Sequence, residues 1–257
     1  MTDSSYHHSL PPLRRLELDR PWAWLAAGWR DICRAPGVSL TYGAIFTAVS
    51  FLITAGVLLA GVEYLLFPLA AGFMLLGPML AVGLYETSRR LETGEPVSLV
   101  SALFVATRSP MRLAFLGVAL MALLLIWMRA ATLLLALFLG PAEFPPLAEV
   151  VPTLLLTPQG LALLVVGTGC GAILAAAVFA ISVVSVPLLM ERDIDFVSAV
   201  FTSLQAVMRN PKPMLLWAWL IAILTAFGLA TLYIGLIVTF PLVGHATWHA
   251  YRETVGR

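Results

Sequence analysis

The stretch Pro213–Tyr251, PMLLWAWLIAILTAFGLATLYIGLIVTFPLVGHATWHAY, holds 39 residues with no charged or titratable group before His245, apart from the phenol of Tyr233. One straight helix of that length would run about 58 Å, nearly twice the roughly 30 Å of bilayer hydrocarbon. Basic residues bound it at both ends, Arg209 and Lys212 before it, Arg252 and Arg257 after it. Positive charge is retained on one side of a membrane, so the chain must return to the face it left. A hairpin turning near Thr231–Gly235 meets both conditions, with helices over about Met214–Thr231 and Gly235–Tyr251. The turn is apolar and can stop at the far interface.

The same reasoning divides the rest of the chain. Of fifteen Lys and Arg, fourteen fall into groups separated by pairs of apolar stretches: Arg14 to Arg34, Arg89 to Arg112, Arg192 to Lys212, and Arg252 with Arg257. Earlier spans are read at Ser39–Ala60, Tyr64–Glu86, Leu113–Leu139 and Leu161–Met190. The connections on the opposite side carry Glu63, Glu143 and Glu149 and no basic residue. This predicts an all-α bacterial inner-membrane protein with six transmembrane helices in three hairpins and both termini in the cytoplasm. Composition agrees: 60% of residues are hydrophobic, 11% are charged and mean hydropathy is +0.95, against about 25% charged in soluble domains. A net charge of +1 implies no nucleic-acid partner. The basic collar suits anionic lipid headgroups. Cys33 and Cys170 fall in different segments, one cytoplasmic and one mid-membrane, and no disulfide is expected. No cleavable signal is read before the first span.

Three Arg-x-Pro motifs precede the odd-numbered spans: Arg34-Ala35-Pro36, Arg108-Ser109-Pro110 and Arg209-Asn210-Pro211. Aligned on the proline, apolar residues recur four, seven, ten and eleven positions upstream, one helical stripe. Each copy therefore reads as an amphipathic interfacial helix that proline ends. Asp19, Ser98 and Asp195 stand where a cap belongs, and Trp22, Trp24 and Trp29 suit the headgroup plane. The even spans echo one another too. Pro78 precedes Arg89 by eleven residues, as Pro241 precedes Arg252, which aligns Glu86 with His249; the match at Pro187 is partial. We expect a flexible tail over residues 1–20 and a single transmembrane domain over 21–257, in parallel repeats of about 21–95, 96–194 and 195–257 around a pseudo-threefold axis. The middle copy carries a proline-rich insertion, Gly140–Gly160.

Few residues carry candidate chemistry. His245 and His249 share one helix face; they could hold a metal or approach a haem, or form an interfacial pair beside Trp248 and Tyr251. Glu86 and Glu191 close their spans at the inner boundary, where carboxylates mark proton paths or simply pair with Arg89, Arg90 or Arg192. Arg129 is the one cation inside a span; it can snorkel outward or pair with Glu63, Glu143 or Glu149. Gly167, Gly171 and Ala175 give a smooth face for helix packing, and the neighbouring glycines lack the context of a phosphate loop. His7 and His8 lie in the tail. No Ser/His/Asp set, HExxH, paired cysteines or nucleotide motif is apparent, so no cofactor and no enzymatic activity is expected.

One run of features is family-like: Pro11-Pro12, Trp22 to Trp29 with Arg30-Asp31 and Arg34-Ala35-Pro36, Tyr42-Gly43, Gly77-Pro78 with Glu86, and Ser198-Ala199 with Arg209-Asn210-Pro211. It resembles a family of predicted integral membrane proteins of unknown function from proteobacteria, some named for subunit I of cytochrome c oxidase. Four histidines are too few for the haems and copper of that subunit. The resemblance implies association with an oxidase, or help in its assembly. Three readings stand: a noncatalytic accessory, scaffold or assembly factor; a small transporter or channel with a site on the pseudo-threefold axis; or a redox subunit binding haem or metal through His245 and His249.

Overall fold

Prolines set the helix boundaries. In a computed structural model, which describes residues 11–105, 110–140 and 147–256, the elements are helical and no strand occurs among the described residues. In order they are α1 (Arg20–Arg34), α2 (Pro36–Leu59), a 3₁₀ turn at Glu63–Leu65, α3 (Leu66–Leu80), α4 (Val82–Thr93), α5 (Leu99–Leu103), α6 (Pro110–Leu139), α7 (Leu147–Leu156), α8 (Pro158–Ser182), α9 (Ser185–Glu191), α10 (Phe196–Arg209), α11 (Pro211–Ala230) and α12 (Leu236–Val255). Pro36, Pro110, Pro158 and Pro211 each open a long helix, the position where a missing N–H costs nothing. His7, His8, Arg108, Glu143 and Arg257 lie outside the described residues.

The two described Arg-x-Pro joints have the same backbone. Ala35 between α1 and α2 sits at φ −132°, ψ 56°, and Asn210 between α10 and α11 at φ −128°, ψ 53°. The third joint lies outside the described residues; of its expected amphipathic helix, the described residues form α5. Ser98 and Asp195 cap their helices, accepting the amides of Ser101 and Ser198. Asp19 makes no such bond. α1 packs on α12, α5 on α4, and α10 on α8 and α9.

Inside the long helices, proline breaks the ladder and a neighbour repairs it. After Pro78 the chain breaks at Ala81, and the Tyr42 hydroxyl donates to the Leu80 carbonyl at 2.8 Å. Before Pro187 it breaks at Val183–Val184; Ser203 accepts the Val184 amide and donates to the Ala180 carbonyl. In α12, Pro241 cannot bond the carbonyl of Ile237, and Gly43 of α2 packs directly on that peptide.

Among the described residues, five segments are long and apolar enough to cross a membrane: Pro36–Leu59, Glu63–Thr93, Leu113–Leu139, Pro158–Glu191 and Pro211–Ala230. They overlie the first five expected spans. The sixth expected span is α12, which falls outside that set because its second half carries His245, Thr247, His249, Arg252 and Glu253. It is the most enclosed of the long helices among the described residues, packed against α1, α2, α4 and α11. The turn from α11 is tight, with Leu232 and Tyr233 both at positive φ (52° and 67°). Trp24 corrects one expectation: it faces the core rather than the headgroups, 2% exposed, edge-on to Trp217 with its indole N–H on Glu253. Trp22 and Trp29 are exposed. Within the expected tail, the chain near Leu13–Leu16 is anchored: the Arg14 amide bonds Thr254, and the Asn210 side chain accepts the Leu16 amide and donates to the Arg14 carbonyl.

Candidate functional site

The polar residues of four helices meet at the end of the bundle that carries both termini. Ser88 on α4 donates to Asp31 Oδ2 on α1 at 2.7 Å. Its single proton is thereby used, so its oxygen must accept at the 2.8 Å contact with His245 Nδ1. That ring is then the Nδ1–H tautomer, and Nε2 accepts the Ser39 hydroxyl of α2 at 2.9 Å. One turn on, His249 Nε2 donates to the same Asp31 oxygen at 2.8 Å. Burial raises the Asp31 carboxyl, but the bonds from His249 and Ser88 and the nearby imidazoles outweigh it and hold it below the ordinary 3.8.

The chain of contacts continues outward from His249. Its Nδ1 lies 3.8 Å from Glu92, Glu92 pairs with Arg252 at 3.1 Å, and Arg252 and the Tyr251 hydroxyl both bond Glu191 of α9. The Arg252 guanidinium also lies over the Trp248 ring, 5.8 Å from its centre. A second cluster sits on α4. Arg89 grips Glu86 through Nε and Nη2 and Glu95 through Nη1 and the same Nη2, while Arg90 Nε reaches Glu86 at 2.7 Å. Bonds from Arg89 and Thr93 hold the exposed Glu95 carboxyl down at about 2.

The two clusters face each other across a cavity of about 280 Å³, where the ends of α4, α9 and α12 converge. Its polar walls are Glu86, Arg89, Glu92, Glu191 and Arg252, closed by Val105, Leu113 and Met190. Three carboxylates and two guanidiniums nearly balance one another, so a polar or zwitterionic guest would exchange one set of charge-assisted bonds for another.

The structure brings some expected residues together and separates others. Glu86 and Glu191 line the cavity; Glu86 pairs with Arg89 and Arg90, whereas Glu191 takes Arg252 and Tyr251. His245 and His249 share a face; His245 is 0% exposed and His249 half-buried. Both ring nitrogens of His245 are engaged by serines, and His249 turns to Asp31, so the rings do not converge on a common void. Arg129 is exposed on α6, and no ion pair joins it to Glu63 or Glu149 among the described residues. Gly167 has open space where a Cβ would point, Gly171 lies against the Trp127 ring, and Ala175 borders apolar cavities. Close helix approach occurs instead at Gly28 and Gly244, where a Cβ would stand 2.8 Å from the Ala246 amide and 2.5 Å from Leu84.

Sequence reasoning missed Asp31, Ser39, Ser88 and Glu92 as members of the network. Asp31, Ser39 and Ser88 stand alone in their segments, and only the fold unites them. Ser39, His245, Ser88 and Asp31 form a hydroxyl–imidazole–hydroxyl–carboxylate series in which a serine separates the imidazole from the carboxylate. Ser39 is 0% exposed, so its hydroxyl cannot meet a substrate, and the series acts as a pin between helices.

The apolar helices and the polar cluster at one end define an integral membrane protein. Residues 66–191, from α3 to α9, match a family described as predicted integral membrane protein (DUF2189). That region includes Glu86, Arg89, Glu92 and Glu191 of the cavity but neither histidine of the pin. No curated protein and no solved structure matches the chain.

Proposed function

We propose that this protein is a noncatalytic accessory, scaffold or assembly factor of a bacterial inner membrane, with a respiratory oxidase as the partner that the sequence resemblance implies. In this reading it has six membrane-crossing helices in three hairpin repeats, with both termini cytoplasmic. The matching backbone at Ala35 and Asn210 supports the repeat, as does the way α1, α5 and α10 each lie on the second limb of another hairpin. One observation carries the functional reading: His245 has both nitrogens committed to Ser39 and Ser88. The most buried titratable group thus ties α2 to α4 and, through Asp31, to α1. Affinity purification from native membranes tests this. Recovery of oxidase subunits supports the accessory role; recovery of the chain alone, in repeated native preparations, counts against it.

A second reading is a small transporter with its site on the pseudo-threefold axis. The cavity of about 280 Å³ lined by Glu86, Glu92 and Glu191 favours it. Solute flux in proteoliposomes that falls with Glu191→Gln would support that reading over the first.

A further inference from the structure

Two apolar cavities share Met74, Ala172, Ala175 and Ala222: one of about 520 Å³ between α3, α6 and α8, and one of about 300 Å³ between α3, α8, α11 and α12. Along α8 they extend from Leu163 to Val183, about 30 Å at 1.5 Å per residue, the thickness of the hydrocarbon. The slot has a clear origin in the packing. α2 packs along α12 and α6 along α3, but α11 does not pack along α8. Small side chains hold it open, and Leu215 and Trp219 on its lip are 72% and 63% exposed, so it faces the membrane sideways.

The terminus-side mouth of this slot is cationic. Lys212, Leu215 and Trp219 follow one another at helical spacing on a single stripe of α11. Side chains on a helix lean toward its N-terminus, which carries Lys212 off the end of the apolar channel toward the headgroups. Arg209, one residue before the joint, is exposed as well. Neither cation makes an ion pair among the described residues, a trait they share with Arg30 and Arg34 on α1. A channel walled by hydrocarbon, with two cations near one end that have no ion pair among the described residues, matches an amphiphile with one negative head.

We propose that this groove binds an anionic glycerophospholipid from the leaflet on the terminus side. One acyl chain lies between α8 and α11, and the phosphate is held by Arg209 and Lys212. The site is separate from the charged cavity and does not rest on the scaffold reading.

The test is native mass spectrometry of the full chain in mild detergent, with phosphatidylglycerol, phosphatidylcholine or inorganic phosphate added back. Phosphatidylglycerol should be retained as a single bound lipid and phosphatidylcholine more weakly. Arg209→Gln and Lys212→Gln should each weaken phosphatidylglycerol about fivefold and leave phosphatidylcholine unchanged. Ala222→Phe should remove both. In the unmodified chain, phosphatidylglycerol with brominated acyl chains should quench tryptophan emission, and Trp219→Phe should abolish most of that quenching. Equal retention of the two lipids that neither Gln variant alters would overturn the proposal. So would saturation by inorganic phosphate alone, or a two-chain species that Ala222→Phe abolishes, since a second copy would then fill the slot.

Discussion

Gly43 of α2 lies so close to the Ile237 peptide of α12 that a Cβ on it would overlap the Ile237 carbonyl and backbone. This is the carbonyl that Pro241 leaves without its helical donor, so helix break and close approach coincide. Gly43→Ala must push two backbones apart and should cost about 1–3 kcal/mol, the range for overpacking. Gly167→Ala meets nothing within 4 Å and should be neutral. Thermal melts of the two variants in one detergent check this; equal melting temperatures would contradict the packing.

Asp31 gives a pH dependence whose sign is fixed. Its folded carboxyl titrates below the ordinary 3.8, so folding binds fewer protons than unfolding just below that value. The stabilisation is fully present above pH 3.8 and is lost as pH falls through the lower, folded value. Asp31→Asn should therefore lower stability at neutral pH by about 1–3 kcal/mol and reduce the further loss on acidification. Melting curves from neutral pH to below 3.8 measure both effects.

Leu232 and Tyr233 make a second contrasting pair. Both occupy the left-handed region, at about 1–2 kcal/mol each for a side-chain-bearing residue. Leu232 is 72% exposed, and Leu232→Gly should release that strain and raise the melting temperature. Tyr233 bonds Thr54 through its hydroxyl at 2.8 Å and stands edge-on to Phe51. Tyr233→Gly forfeits these contacts and should lower it.

Helix positions were legible because a bilayer demands a fixed length of apolar chain and sorts basic charge. The turn at Thr231–Gly235 follows from those two constraints alone. Which residues face inward was not legible. Lipid and protein interior are equally apolar, so Gly43 and Gly167 read alike until their neighbours are known. Trp24 shows the same limit: its place on an amphipathic helix marks it for the interface, yet Glu253, more than two hundred residues away, takes its N–H. Periodicity placed His245 and His249 on one face but named no partner for them, since Asp31, Ser39 and Ser88 are ordinary polar residues on three other helices.

The sorting of charge to one leaflet is the central claim, and thiol labelling in intact cells tests it most directly. Cys33 on α1 is exposed, and Leu232→Cys, in a background lacking Cys33 and Cys170, places a thiol at the opposite end of the bundle. An impermeant maleimide should label Leu232→Cys from outside and reach Cys33 only after the cells are permeabilised. Labelling of Cys33 in intact cells, with Leu232→Cys protected, would contradict the account.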